Sequence, residues 1–309
     1  MRIKVIALLG FLGGCLLGMA QPKQNNHSLE RAVQAVVLKT LASRPLPHPV
    51  VFKVDVAKRH ETTQGKIQQG TVTWHYTWFR LTPEQDSIPV FSHTQKINYQ
   101  RTQPWEDAWK KISASIGLST VQYAHIWWKQ NGGGSPALVD SVRLIWLPDE
   151  ALEEADTLYH PVKRLDWSDF QGVPAFGSRY GAEIFTSFGF SMEMEVKNHT
   201  LHIRLQGKCY MIRGISWVKS GNATPAALAH EQLHFDITQR SLAYWKKLVH
   251  DFPTYWHPDD WSAAIQQAYL QAFRHMNQWQ KQYDAETLHG QNAMEQAKWE
   301  AQFKINRIE

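Results

Sequence analysis

One helical segment carries two histidines at a spacing that suits a metal ion. The sequence reads His230-Glu231-Gln232-Leu233-His234, and residues four apart on a helix project from the same face. Both imidazoles can therefore reach one ion, with Glu231 beside them. In zinc hydrolases with this pattern, zinc lowers the pKa of a water molecule to about 7 and a carboxylate takes its proton. We therefore expect His230 and His234 to bind Zn²⁺ and Glu231 to act as general base.

The helix that must position these residues is well marked in the sequence. Thr224 suits the N-cap and Pro225 the first helical position. An apolar stripe then follows a 3.6-residue period: Ala226, Ala229, Leu233, Ile237, Tyr244 and Leu248. Short strands are predicted before this helix, over 184–195, 200–205 and 209–218. Two further helices are predicted after it, over 259–289 and from residue 292. Strands followed by helices predict an α+β, zincin-like fold for this half of the chain.

The amino-terminal half predicts helices and strands in mixed order. The predicted helices are 28–43, 104–117 and 120–130, and the predicted strands are 50–56, 71–81 and 141–147. The glycine-rich stretch 132–136 has the composition of a linker. We place the domain boundary near 150–162. Residues 21–155 are then an accessory domain of unknown role, and residues 160–309 are the domain with the histidine motif.

Composition excludes several classes of function. The chain has 309 residues, 43% hydrophobic and 20% charged, which is typical of a globular protein. The formal net charge is +5 and no run of lysine or arginine exceeds two residues, so we expect no nucleic-acid partner. The two cysteines are Cys15 and Cys209. If a leader containing Cys15 is removed, a metal site must be built from histidines and carboxylates.

The first 20 residues have the pattern of an export signal. Arg2 and Lys4 precede an apolar run that begins at Val5, and the small residue Ala20 ends it. The run is too short for a bilayer span of about 20 residues. We therefore predict no transmembrane span in the mature chain and an exported, periplasmic or secreted protein. A Leu-Gly-Gly-Cys sequence leaves a lipid anchor at Cys15 as the alternative.

Several blocks of the second half resemble a known family. They are RLDWSDFQG at 164–172, ISWV at 215–218, HEQLHFDI at 230–237 and YDAETLHG at 283–290, followed by Gln296 and Trp299. Together they resemble a bacterial domain-of-unknown-function family described as predicted secreted Zn-dependent proteases. The resemblance covers about residues 160–309, and the last two blocks are specific as a pair. It implies zinc-dependent hydrolysis of a protein or peptide substrate.

The resemblance also implies where a third zinc ligand originates. A zincin needs one more His, Asp or Glu from a downstream element, and the block at 283–290 offers His289, with Asp284 as the first alternative and Glu286 as a further one. A straight antiparallel helix over 259–289 would carry His289 well past His234. We therefore expect this helix to break near 278–282.

Other residues near the motif are candidates for supporting roles. Tyr283 could donate a hydrogen bond to a developing oxyanion, although its place in an apolar stripe also fits core packing. Asp236 lies two residues past His234, and the helical rotation points it away from the metal, so it supports the ligands or faces solvent. The segment 216–218 could be an edge strand on which an extended peptide lies.

Three functions fit these observations. The first is an exported zinc metallopeptidase. The alternatives are a catalytically silent zinc-binding protein of the cell envelope and a secreted binding module whose histidine motif is accidental. Glu231 separates the first two, because a structural zinc site does not need a carboxylate beside its ligands. Metal content distinguishes the third function from the first two, because an accidental motif would bind no zinc. The sequence does not specify the substrate or the oligomeric state.

Overall fold

The computed structural model describes residues 26–83, 86–148, 156–160, 164–253 and 257–305. The helices are α1 Asn26–Ser43, α2 Trp105–Asn131, α3 Pro225–His250, α4 Pro258–Thr287 and α5 Ala293–Ile305. The strands are β1 Val50–Gln64, β2 Ile67–Leu81, β3 Ser87–Arg101, β4 Ser141–Trp146, β5 Thr157–Tyr159, β6 Ala182–Glu183, β7 Thr186–Lys197, β8 Thr200–Ile212 and β9 Trp217–Val218. Helices and sheets together confirm the α+β class. The predicted leader and Cys15 lie outside the described residues. Within these ranges, no helix has the length and apolarity that a membrane crossing requires.

The chain divides into two compact units. The first is Met1–Ser141 with Val196–Leu201, and the second is Val142–Glu195 with His202–Glu309. This division falls before the boundary predicted near 150–162, because β4 belongs to the sheet of β8 and β5. The turn between β7 and β8 belongs to the first unit, so that unit is not one continuous stretch of chain.

The first unit is an antiparallel sheet, ordered β1-β2-β3, with α1 and α2 packed on it. Alternate residues of β2 form the centre of its core: Val72, Trp74, Tyr76 and Trp78. Strand β3 was not predicted, because its alternate residues are only half-buried and many are polar. The two helices predicted over 104–130 are one helix, α2. The predicted linker at 132–136 is wrong: two 3-10 turns occupy this stretch, and Gly132 is buried.

The second unit combines a four-stranded sheet of β4, β5, β7 and β8 with helices α3, α4 and α5. The strands predicted over 200–205 and 209–218 differ from the observed ones, since β8 runs unbroken to Ile212. A glycine in its middle explains the difference. A Cβ at Gly207 would lie 2.6 Å from Cδ1 of Leu242, so the missing side chain allows close packing of this strand on α3.

Helix α4 returns along α3 without interruption. The predicted break near 278–282 is wrong, because α4 is continuous to Thr287. Gln280 lies beside His234 and bonds its carbonyl oxygen. Gln280 is 22 residues into α4, whereas His234 is only 16 residues from the end of α3. The start of α4 therefore extends beyond the end of α3 by about six residues, or roughly 9 Å, which removes part of the expected overshoot.

Candidate metal centre

Three ligand atoms from α3 and α4 form a small triangle. Nε2 of His234 lies 3.2 Å from Nε2 of His230 and 3.1 Å from Oδ1 of Asp284. Nε2 of His230 lies 3.3 Å from the same carboxylate oxygen. In a tetrahedral zinc site with bonds of about 2.0–2.1 Å, neighbouring ligand atoms lie about 3.3 Å apart. The triangle therefore has the size that three ligands of one such ion require.

Hydrogen bonds fix which nitrogen of His234 faces the triangle. The side-chain amide of Gln280 donates to the carbonyl oxygen of His234, 2.9 Å away, and to Oγ1 of Thr238, 3.1 Å away. Its own oxygen then faces Nδ1 of His234 and accepts a hydrogen bond from it. The proton of the neutral imidazole therefore sits on Nδ1, which leaves the Nε2 lone pair free for a metal.

The orientation of the His230 ring is also set by a glutamine, which lies on α5. Nδ1 of His230 lies 3.2 Å from Oε1 of Gln296. The amide nitrogen of Gln296 donates to Glu300, 3.1 Å away, so the orientation of the amide is set. His230 also donates through Nδ1 and presents a lone pair on Nε2. Two lone pairs and a carboxylate oxygen converge, an arrangement that repels itself unless a cation or proton lies between them.

Charge within the triangle shifts the pKa of two of its members. Burial would raise the pKa of Asp284, but the two histidines, which donate to it through Nε2 when they are protonated, outweigh burial and hold this pKa below its usual range. Burial would lower the pKa of His234, but bonding to Asp284 and the charge of Glu231 raise it above the usual range. The carboxylate is therefore ionised at neutral pH, as a metal ligand must be.

His289 lies next to this triangle and outside it. Its Nδ1 is 3.4 Å from Oδ1 of Asp284, and its ring is 4.6 Å from that of Tyr180. The group of mutually close ligand atoms at this site is His230, His234 and Asp284, without His289. His289 occupies the turn after α4, where residues 288–290 all have positive φ. This turn brings the two residues proposed as the third ligand to the same place.

Glu231 is buried beside the triangle. Only 6% of its surface is exposed, and its Oε2 accepts a hydrogen bond of 3.1 Å from the backbone nitrogen of Ile184. Burial is the main cause that raises the pKa of Glu231 above the range of an ordinary glutamate. A carboxylate with a raised pKa is a better proton acceptor at neutral pH, which suits a general base.

The triangle opens into a cavity of about 530 Å³. Its floor contains His230, Glu231 and His234, and residues 179–186 form one wall. Strand β6 lies in this wall and pairs with β9. Of the segment 216–218, Trp217 and Ser216 are buried and do not line the cavity. The edge strand beside the site is therefore β6, and the expectation for 216–218 is corrected.

Tyr283 and Asp236, the two residues predicted to support the ligands, do not line the cavity. Tyr283 is fully buried, and its hydroxyl lies 2.7 Å from Oε1 of Gln296 and 3.2 Å from the carbonyl oxygen of His230. Its ring stacks on His230 at 4.7 Å, so it holds that ligand from behind and cannot reach an oxyanion. Asp236 faces the other side of α3, where its Oδ1 lies 3.3 Å from Nε2 of His160.

Sequence reasoning missed the residues that orient the ligands. Gln280 precedes Asp284 by one helical turn, so both lie on the face of α4 toward His234. That spacing was a usable signal. Gln296 was noted in the sequence, but nothing there indicated that α5 would bring it to His230. The bond from Ile184 to Glu231 had no signal at all.

A second group of candidate ligands lies in the first unit and fits a metal less well. It contains His48, Asp140 and His199. The indole nitrogen of Trp128 donates to Nδ1 of His48 over 3.2 Å, so the proton of neutral His48 sits on Nε2 and points at Asp140, 3.0 Å away. Asp140 also accepts a hydrogen bond from the buried guanidinium of Arg80. In this group the His48 nitrogen that faces Asp140 carries its proton, so it offers a hydrogen-bond donor where a metal would need a lone pair.

Comparison with known proteins returned no match. No family model fits the chain, and neither a curated protein nor a solved structure is significantly similar to it. The resemblance to the predicted secreted proteases therefore stays a prediction, and the function has to be argued from the site.

Proposed function

We propose that this protein is a zinc-dependent hydrolase of peptide bonds, in which His230, His234 and Asp284 hold the ion. The observation that carries the proposal is the triangle of ligand atoms, because its edges suit tetrahedral zinc and the neutral imidazoles present lone pairs to its centre. With three protein ligands, one position stays open, as in catalytic zinc sites. When bound, the ion would polarise the substrate carbonyl and acidify a water molecule.

The position of Glu231 favours catalysis over a structural role for the metal. In this assignment its carboxylate accepts a proton from the attacking water and passes it to the leaving amine as the C–N bond breaks. The hydrogen bond from Ile184 holds one carboxylate oxygen, and the second oxygen is left for the water. A silent zinc-binding protein would have no use for a buried glutamate in this position.

The cavity wall suits an extended peptide. Among the described strands, β6 pairs with β9 alone, so its other edge has backbone groups available for a peptide strand. Ala182 and Glu183 both line the cavity. A peptide paired with β6 would pass over Glu231 and the histidines, which supports a protein or peptide substrate.

Metal content and hydrolysis test the proposal together. The purified protein should hold about one zinc ion per chain by elemental analysis, and His230→Ala or His234→Ala should lose most of it. Glu231→Gln should keep the metal while hydrolysis of an unfolded protein falls by about 10² or more. Glu195→Gln is the matched control, since this exposed glutamate of β7 lies outside the described lining of the cavity. Metal retained in both histidine variants would contradict the site, and full activity in Glu231→Gln would contradict the base.

A further inference from the structure

Among the described residues, one cation in the cavity wall has no carboxylate partner. Of the described residues that line this cavity, Arg179 is the one with a permanently charged cationic side chain. Its Nη2 donates to the hydroxyl of Tyr180 over 3.0 Å, and its guanidinium carbon lies 5.1 Å from the centre of the Tyr180 ring. Among the described residues it forms no ion pair with a carboxylate, although the exposed Glu183 lies in the same wall.

The backbone around Arg179 is fixed. The side-chain amine of Lys219 donates to the carbonyl oxygen of Ser178, and its backbone nitrogen donates to the carbonyl oxygen of Gly181, 2.8 Å away. The backbone nitrogen of Tyr180 donates to Oγ of Ser178, 3.2 Å away. The guanidinium is thus presented from a braced segment, which lowers the entropy lost when it binds a ligand.

Three contacts connect Arg179 to the metal ligands. Asp284 lies 3.4 Å from His289, the ring of His289 lies 4.6 Å from that of Tyr180, and that ring lies 5.1 Å from the guanidinium. The guanidinium is therefore no farther than about 14 Å from Asp284, which is about four residues of extended chain. A peptide that reaches the metal also reaches this arginine.

We infer that Arg179 binds a carboxylate of the substrate, so that the cavity selects peptides with a negative charge within about four residues of the scissile bond. A guanidinium with free N–H donors matches a carboxylate through two parallel hydrogen bonds. The carboxylate belongs either to an aspartate or glutamate side chain or to the carboxyl terminus of the peptide. This inference rests on the proposed function for its scissile bond, while the binding of the carboxylate can be measured without turnover.

Binding of three matched peptides tests the inference. The three peptides differ at one internal position and at the carboxyl terminus. The first has glutamate at that position and an amidated terminus, and the second has glutamine and an amidated terminus. The third has glutamine and a free terminal carboxylate. Fluorescence anisotropy with zinc-loaded Glu231→Gln protein measures their affinities. We expect the first or the third peptide to bind about tenfold more tightly than the second, and the tighter of the two identifies the source of the carboxylate.

Two further variants identify Arg179 as the cause. Adding Arg179→Gln should remove the advantage of the charged peptide and leave binding of the neutral peptide within about twofold. Adding Arg164→Gln, which removes an exposed arginine from a different cavity, should leave the advantage intact. Equal binding of all three peptides, or equal weakening of all three by Arg179→Gln, would overturn the inference. If the Arg179-dependent difference is found but the wild-type protein cleaves none of the peptides, the carboxylate site stands and the hydrolase proposal fails.

Discussion

Hydrogen bonds to two glutamines determine which imidazole nitrogens of His230 and His234 face Asp284. Gln280 and Gln296 accept the Nδ1 protons of His234 and His230, and each amide is oriented by a second acceptor. A carboxylate in the same position would add negative charge to a site that already contains Asp284 and Glu231. Neutral amides define the tautomers without that charge, so the charges of Asp284 and Glu231 would balance those of a divalent ion.

The geometry favours Asp284 over His289 as the third ligand of the proposed zinc site. Asp284 lies within 3.3 Å of both histidine nitrogens, whereas His289 lies 3.4 Å from Asp284 and belongs to no such group with the two histidines. We expect Asp284→Asn to lower zinc affinity at least tenfold, and His289→Ala to lower it less, because His289 only orients the carboxylate. Competition with a fluorescent zinc chelator measures both affinities. A greater loss in His289→Ala would return the ligand role to His289.

At the scale of elements, a side-chain ion pair in the first unit joins β1 to β3 across the strand between them. Glu61 on β1 accepts hydrogen bonds from Tyr99 and Arg101 on β3, and β2 lies between these strands. Gly70 of β2 stands beneath, and a Cβ there would lie 2.4 Å from the Tyr99 ring. The glycine therefore opens the space in which the side chains of the outer strands meet.

This ion pair predicts a pH dependence of stability. The hydrogen bonds from Arg101 are the largest influence on Glu61 and lower its pKa from 4.5 to about 2. Because the folded pKa is the lower one, the stabilisation is present above pH 4.5 and is lost as the pH falls toward 2. We expect Glu61→Gln to lower the free energy of unfolding by about 1 kcal/mol at pH 7. Urea titrations of both proteins should converge at pH 2, and a gap that stays constant with pH would contradict this origin.

What the sequence could predict depends on how far apart the interacting residues are. The motif helix was predicted with its cap and both histidines, because Thr224, Pro225 and the i, i+4 spacing are local features. Asp284 could only be an alternative, since its place depends on the register of α4 against α3, which is set by packing. Strand β6 has two residues, too few for a periodic pattern to reveal. The hydrogen bond to Glu231 comes from Ile184, the residue after this strand, and depends on tertiary packing.

At the scale of the whole molecule, the two units predict different responses to zinc. A ligand that binds the folded state at a thousand times its dissociation constant stabilises that state by about 4 kcal/mol. We expect hydrogen exchange to slow in α3 and α4 when zinc is added, and to stay unchanged in β1, β2 and β3. His230→Ala should abolish the effect. Slower exchange around His48 would instead indicate a metal at the network with Asp140 and His199.

The six residues at the turn between β7 and β8 also affect the order in which the molecule can assemble on the ribosome. His199 bonds Gly133, Leu138 and Asp140 of the first unit, yet it is made about sixty residues after them. The first unit therefore cannot be completed when its own main segment has been synthesised. It must wait until the leading strands of the second unit have emerged, so the growing chain completes its amino-terminal unit only after synthesis of the second unit has begun.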